Sequence, residues 1–318
     1  MRFVVIMDPV SAISPEADTT FALMEEAERR GHRVDHCLNT DLILDQGRLS
    51  ARVAQAKTSR TGMPPLELGV PELVSLHEVD AVFVRTDPPF DDNYLWTTQL
   101  LEVVKRDTLV LNDPLGLQRA NEKLYTCLFA ELMPQTLISS YKADIKAFLT
   151  RVGGQAVIKP LDGRGGEGVL VLRDGDPNTN AIIELTSRNG TRAVLVQEFL
   201  PAVKIGDKRI LLLNGDLLGA VLRVPASDEV RSNLRVGGRA VKADIDADDR
   251  KIIDTLGPKL RADGLYFVGI DVIGGKLTEV NVTSPTGVQE INALDGVRLE
   301  TRVLDAVEKR LAARRSAG

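Results

Sequence analysis

Tyr266-Phe-Val-Gly-Ile-Asp-Val-Ile-Gly-Gly-Lys-Leu-Thr-Glu-Val-Asn-Val-Thr-Ser-Pro-Thr-Gly287 sets two apolar runs about a Gly-Gly pair, the pattern of a β-hairpin. Its polar residues Asp271, Glu279 and Asn281 are hard oxygen donors. A strand repeats its faces every second residue, which puts Glu279 and Asn281 together and leaves Asp271 to the turn. A two-residue turn at Gly274-Gly275 pairs Ile270 with Glu279, mixes apolar and acidic side chains on both faces and sends Asp271 to the far side. A three-residue loop, Gly274-Gly275-Lys276, pairs Asp271 with Glu279 and Gly269 with Asn281, and gathers Val268, Ile270, Val272, Val280 and Val282 on the opposite face. The apolar pattern selects the second register. Three oxygens then share one surface, as a Mg²⁺ ion shared with substrate phosphates requires. From these residues alone, a solvated polar face on an edge hairpin reads the same way.

The surrounding chain of 318 residues is long enough for two or three domains. Its 40 Lys and Arg against 45 Asp and Glu give a net charge of -5, which provides no basic field for nucleic acid or an anionic membrane. No run approaches a membrane-spanning helix, and the apolar start of Met1-Arg-Phe-Val-Val-Ile-Met-Asp-Pro9 is too short for a secretory signal. It predicts a first strand. Cys37 and Cys127 lie far apart without CxxC spacing, which argues against a disulfide framework or a zinc site and for a reducing cytoplasm. His32 and His36 flank a helix stop and share no helix face, so they make no metal pair.

Strand and helix alternate through the first part: strand Phe3 to Met7, helix Ala17 to Arg30 ended by Gly31, and strand Arg33 to Leu38. After a polar, poorly patterned segment through residue 65 the pattern predicts a short helix, strand Ala81 to Arg85, helix Tyr94 to Arg106 and strand Leu109 to Leu111. The alternation predicts an α/β domain with a mainly parallel sheet. Ligands of such sheets sit beyond the carboxyl ends of strands, which selects Met7-Asp8-Pro9 and Arg85-Thr-Asp-Pro-Pro-Phe-Asp91 as site loops. Further on, Asn121 is placed to cap a helix carrying Lys123, Leu124, Cys127, Leu128 and Phe129. Beyond it the pattern gives strands near 136–139, 156–160, 169–173, 193–199, 208–213 and 217–224, with helices over 143–151, 180–188, 247–263 and 299–314.

Between two of these strands lies Leu161-Asp-Gly-Arg-Gly-Gly-Glu-Gly168. It leads into no helix, so it is neither a Walker A loop nor a dinucleotide fingerprint. Glycines at 163, 165, 166 and 168 still let backbone N–H groups approach phosphate oxygens, and Lys159 precedes them as a point charge. A plain hairpin turn has the same composition. Gln197-Glu-Phe-Leu-Pro201 ends a strand at a proline, where freed backbone groups can meet an adenine edge and Phe199 and Leu200 its faces. Asp207-Lys-Arg209 and Arg223 put cations on neighbouring strands, and the glycine- and arginine-rich loop 226–240 has the composition of a lid.

The order of these features resembles ATP-grasp enzymes from about Asn112 onward, and over nearly the whole length the chain resembles bacterial glutathione synthetases. Ile6-Met-Asp-Pro9, Arg85-Thr-Asp-Pro-Pro-Phe-Asp91, Asn121-Glu-Lys123, Ile158-Lys-Pro-Leu-Asp-Gly163, Gly206-Asp-Lys-Arg209, Gly237-Gly-Arg239 and Leu277-Thr-Glu-Val-Asn-Val-Thr-Ser-Pro-Thr286 carry the likeness. Arg164 and Glu167 depart from it, standing where an apolar and a small residue are expected.

The resemblance implies an N-terminal α/β domain (1–120), a central ATP-grasp subdomain with the glycine-rich loop (121–200) and a catalytic, metal-binding subdomain (201–318). It implies ATP-dependent joining of γ-glutamylcysteine and glycine through an acyl phosphate, with Mg²⁺ or Mn²⁺, in a cytoplasmic dimer or tetramer that contacts neither nucleic acid nor membrane. Carried over residue by residue, it assigns Lys123, Lys159, Gly163, Gly165, Gly166, Gly168, Gln197, Glu198, Phe199, Leu200 and Asp207 to ATP. Asp271, Glu279 and Asn281 go to the metal, Arg209, Arg223 and Arg239 to catalysis, and Arg85, Asn233, Gly238, Ser284 and Thr286 to the remaining substrates.

Overall fold

Phe3, Val4, Val5 and Ile6 are all buried, the mark of a strand covered on both faces. The computed structural model describes residues 1–163, 165–226 and 237–317. Its first part runs β1 (Arg2–Ile6), α1 (Thr19–Arg29), β2 (Arg33–Cys37), β3 (Leu42–Asp45), β4 (Arg48–Thr58), β5 (Leu66–Leu68), β6 (Glu72–Ser75), β7 (Ala81–Val84), α2 (Asp92–Leu101), β8 (Leu109–Leu111) and α3 (Pro114–Arg119). β2, β1, β7 and β8 pair in parallel. Asp18 caps α1 by accepting from the Phe21 N–H at 2.8 Å, and Gly31, at φ +77°, lies just past its end.

The segment through residue 65 is where the sequence misleads. Instead of an unpatterned stretch, β3 to β6 build an antiparallel half onto the sheet, giving the order β3-β4-β2-β1-β7-β8 with β5 and β6 both on β4, and the short helix before β7 is a single 3-10 turn, Leu76–Glu78. The alternation is real but small residues carry it: Leu49, Ala51, Val53, Ala54 and Ala56 are buried while Arg52, Gln55 and Lys57 face out. Helix α2 stops at Leu101, before β-branched Val103 and Val104, which fill helical turns poorly.

The middle of the chain forms β9 (Thr136–Ser139), α4 (Lys142–Arg151), β10 (Gln155–Pro160), β11 (Leu170–Arg173), α5 (Thr179–Thr186) and β12 (Val194–Glu198). The four strands are antiparallel in the order β11-β10-β12-β9. They hold a core of their own from Ile145, Phe148, Ile158, Leu172, Ile183 and Val196 among others. Before them, Asn121 Oδ1 accepts from the N–H groups of Lys123 and Leu124, as a cap should. The capped segment is a 3-10 stretch, Tyr125–Leu132, kinked at Phe129 (φ -127°, ψ 47°), in place of the α-helix that the sequence predicts.

The last part comprises β13 (Asp207–Leu213), β14 (Asp216–Val224), β15 (Arg239–Lys242), α6 (Ala247–Ala262), β16 (Phe267–Ile273), β17 (Lys276–Asn281), α7 (Val288–Asp295) and α8 (Leu299–Ala317). Its antiparallel sheet has the order β15-β14-β13-β16-β17. The β16–β17 register is the expected one, Asp271 opposite Glu279 and Gly269 opposite Asn281. The turn differs. Gly274 and Gly275, at φ +55° and +73°, make a two-residue turn pairing Ile273 with Lys276, and Thr278 then enters as a bulge that restores the ladder. Val268, Ile270, Val272, Val280 and Val282 are buried on one face, as the pattern requires. They share a core with Val4, Ile6 and Val82, while Phe267 and Leu304 share another with Phe3 and Phe83. The first and last parts of the chain are therefore packed as one body.

Candidate active site

Two sheets face each other across a pocket of about 120 Å³. Val157 and Val171 from the middle sheet, Ile273 from β16, and Phe199, Leu200 and Val203 make its apolar walls. Lys159, Glu198, Asp207, Arg223, Asp271 and Glu279 place charge along it. The strand end at 198–200 adjusts the sequence reading. The Glu198 and Phe199 N–H groups donate to the carbonyls of Gln135 (2.9 Å) and Gln155 (3.3 Å), so the backbone donor left for a planar ligand is that of Leu200, which has no partner among the described residues. Gln197 is buried between Lys159 Nζ, which donates to its Oε1 at 3.2 Å, and Thr136 Oγ1, to which its Nε2 donates at 3.1 Å. It steers the lysine.

A wider cleft of about 640 Å³ adjoins this pocket and shares Gly166, Val169, Arg223, Asp271 and Glu279 with it. Lys123 is buried there, its Nζ donating to the Gly163 carbonyl at 2.7 Å and lying 3.7 Å from Glu279 Oε1. The lysine thus joins the glycine loop to the hairpin. Gly163, Gly165, Ser284 and Thr286 also line this cleft, and so does Glu167. Gly168 lines neither space. At φ +69°, a Cβ on it would come 2.8 Å from Pro160 Cγ, so it serves the turn. Gly238 and Arg239 also line neither, and Arg239 is exposed at the start of β15. Asn233 lies outside the described residues.

The densest charge sits on three adjacent strands. Cross-strand pairing sets Arg209 of β13 opposite Asp271 of β16, and Asp207 opposite Arg223 of β14. Arg209 grips Asp271 with two bonds, Nε to Oδ1 at 2.5 Å and Nη2 to Oδ2 at 3.0 Å, and its Nη1 donates to the Thr286 carbonyl at 3.2 Å. Arg223 Nη2 lies 3.0 Å from Asp271 Oδ2 and also bonds Asp207. Burial alone would raise Asp271, but the two guanidiniums outweigh it and hold the carboxyl well below the usual range. Burial raises Asp207 to about 6, against the pull of Arg223 and with the charge of Asp271 adding to the rise. The buried Nε–H of Arg223 has no partner among the described residues and remains a donor for an incoming oxygen.

Gly269 is what lets Arg209 lie flat. A Cβ there would meet Arg209 Cδ and Pro285 Cβ at 3.2 Å. Gly269→Val is accordingly expected to push the guanidinium off Asp271 and lower kcat by roughly 10²-fold, the cost of displacing a positioned group by about 1 Å. Steady-state kinetics check this, and an unchanged kcat would detach Arg209 from the reaction.

Two further groups frame the cleft. Glu122, half-buried and with its pKa raised by desolvation, takes the Val282 and Thr283 N–H groups and the Thr283 hydroxyl on one oxygen, and so pins the chain just after Asn281. Arg85, beyond the carboxyl end of β7, is buried with its Nε on Thr20 Oγ1 and its Nη2 on the Pro285 carbonyl, both at 3.0 Å. It has no ion pair among the described residues, and burial lowers its pKa. A buried cation lacking a counter-ion is costly unless an anion arrives. The sequence singled out Arg85; Glu122 it offered only within Asn121-Glu-Lys123, and Thr278 gave no signal because its place depends on the bulge.

A family model for the prokaryotic glutathione synthetase ATP-grasp domain matches residues 122–296, and one for the N-terminal domain matches residues 1–118. The chain belongs to the prokaryotic glutathione synthetase family. The glutathione synthetase of Thermosynechococcus vestitus is 46% identical over 314 residues, 96% of this chain and 98% of the relative. That of Salmonella typhimurium is 40% identical over 310 residues, 97% and 98% of the two chains. In fold, the chain is similar to the D-cycloserine synthetase DcsG (TM-score 0.66, 17% identity, covering 97% of this chain and 99% of that one). It is also similar to the D-alanine–D-alanine ligase of Bacillus anthracis (TM-score 0.59, 15% identity, all of both chains).

As a prokaryotic glutathione synthetase by family, the chain is an ATP-dependent carboxylate–amine ligase with the ATP-grasp fold and a divalent-metal requirement. Its hairpin fits such a metal. Asn281 donates its Nδ2 to Asp271 Oδ2 at 3.3 Å, which leaves its carbonyl oxygen, the better ligand, for the cleft. Among the described residues no group of three or more His, Cys, Asp or Glu forms a cage, and none is needed where phosphates complete the shell. No helix among the described residues is long and apolar enough to cross a membrane.

Proposed function

We propose that this chain joins γ-glutamylcysteine to glycine through an acyl phosphate, giving glutathione, ADP and phosphate. The observation that carries this reading is the continuity of the two spaces: Lys159 and the strand end at 198–200 on one side, Lys123 and the hairpin oxygens in the middle, and Arg85 with the N-terminal loops on the other. A nucleotide and a dipeptide laid end to end meet at Asp271, Glu279 and Asn281.

In this reading the adenine packs against Phe199 and Leu200 and meets the backbone of 198–200, with Asp207 toward the ribose. Lys123, Lys159 and the glycine loop neutralise the phosphates. Asp271, Glu279 and Asn281 would hold Mg²⁺ or Mn²⁺, which would supply charge stabilisation to the transferring group. The dipeptide's cysteinyl carboxylate attacks the γ-phosphorus of ATP and ADP leaves. The ammonium of glycine gives one proton to solvent, its free amine then forms the C–N bond as the C–O bond to phosphate breaks, and phosphate leaves with a second proton from the nitrogen. Arg223, with its spare donor, and Arg209 stabilise the charge that develops on the phosphoryl and carbonyl oxygens. Arg85 takes the carboxylate of the glutamyl end, and Ser284 and Thr286 line the path between. Asn233, Gly238 and Arg239 belong to the lid that excludes water from the acyl phosphate. A cytoplasmic homo-oligomer, dimer or tetramer, is part of the same proposal.

Phosphate release with each substrate omitted in turn tests it. Release that needs ATP, γ-glutamylcysteine and glycine together is the expected result. Equal release with other acceptors would replace the substrate assignment, and no release with any would remove the catalytic one.

A further inference from the structure

Glu290 is a half-buried carboxylate that the proposed chemistry has not used. It sits in the first turn of α7, which packs against β14, β15 and α1, and it lines the wide cleft. Its Oε2 is buried with no hydrogen-bond partner among the described residues. It lies in the field of Arg209 and Arg223, the two guanidiniums that bracket Asp271. The other carboxylates of the cleft are placed elsewhere: Asp271 with those arginines, Glu279 with Lys123 and the metal position, Glu122 on Val282 and Thr283, Asp8 on the Asp87 N–H, Asp18 and Asp87 near Arg85, and Glu167 in the glycine loop.

The reaction brings two ammonium groups into this cleft. That of γ-glutamylcysteine is on the glutamyl residue, at the opposite end of the molecule from the carboxyl that reacts. It therefore belongs with Arg85, where Asp18 and Asp87 supply negative charge. The ammonium of the acceptor amino acid must instead reach the reacting carbon, beside Arg209 and Arg223. Resting on the ligase reading above, we propose that Glu290 binds the amino group of the acceptor amino acid and aims it at the activated carboxyl. Burial raises the pKa of Glu290, as suits a group completed by an incoming cation.

Initial rates of Glu290→Gln, with each substrate varied in turn, test the assignment. The expected result is a KM for glycine raised about 10- to 100-fold, the loss of one charge-assisted hydrogen bond, with the KM values for ATP and γ-glutamylcysteine unchanged. Hydroxylamine, a nucleophile uncharged at neutral pH, should be used by the variant as well as by the native protein. Glu290→Asp should recover part of the affinity for glycine. Should Glu290→Gln not fold, as judged by circular dichroism, the glycine KM of Glu290→Asp decides alone. An unchanged glycine KM, or equal rises in all three, overturns the inference. If the native protein releases phosphate without needing glycine, it is the ligase reading that fails.

Discussion

Glu279→Gln should lose turnover by more than the about 10- to 100-fold typical of losing an outer-shell partner of a metal, while its melting temperature hardly moves. The side chain is 23% exposed, and its one ion pair among the described residues is with Lys123 at 3.7 Å. So weak an ion pair contributes at most about 1 kcal/mol to stability, and an amide of the same shape keeps the packing. What the amide lacks is the negative oxygen that, with Asp271 and Asn281, faces the phosphates in the proposed function. Phosphate-release kinetics beside thermal unfolding of the same sample give the two numbers. Parallel losses in both would mean that Glu279 holds the fold and not the metal.

Arg209→Met is expected to fail in both respects. Its guanidinium makes two bonds to a carboxylate that is 6% exposed, and removing one member of such a buried pair costs about 3–5 kcal/mol. The double variant Arg209→Met/Asp271→Leu should regain most of that stability, because apolar replacement of a whole buried pair is close to neutral, yet stay inactive. Denaturant unfolding separates the two cases. If the single variant is as stable as the native protein, Arg223 alone suffices to hold Asp271. The pH dependence has a definite sign. Asp271 titrates lower in the folded chain than in the unfolded one, so its contribution is present above the ordinary carboxylate range and lost as pH falls through the depressed folded value. In Arg209→Met the loss begins at higher pH.

Much of the site was legible because one element carried its own arithmetic. The alternation of Val268, Ile270 and Val272 against Val280 and Val282 admits a single register that buries them all, and that register assembles Asp271, Glu279 and Asn281. The turn was not legible: a longer loop and a tight turn followed by a bulge at Thr278 satisfy the same pairing. Nor was the grip of Arg209 on Asp271, which depends on β13 lying beside β16, a contact between residues 62 apart in sequence. Strand β4, on which β3, β5 and β6 all pair, was hidden by Ala51, Ala54 and Ala56, whose small side chains dilute the period-two signal. Glu290 announces itself by nothing local, since one acidic residue in a short helix is ordinary and only burial without a partner distinguishes it.

The core of the middle sheet joins the rest of the chain through two passages, at Met133-Pro134 and Leu200-Pro201. The bond from the Glu198 N–H to the Gln135 carbonyl sets these passages side by side. The pocket between the middle sheet and the last one has a wall on each, so whatever fills it ties the middle sheet to the rest of the chain at a third place.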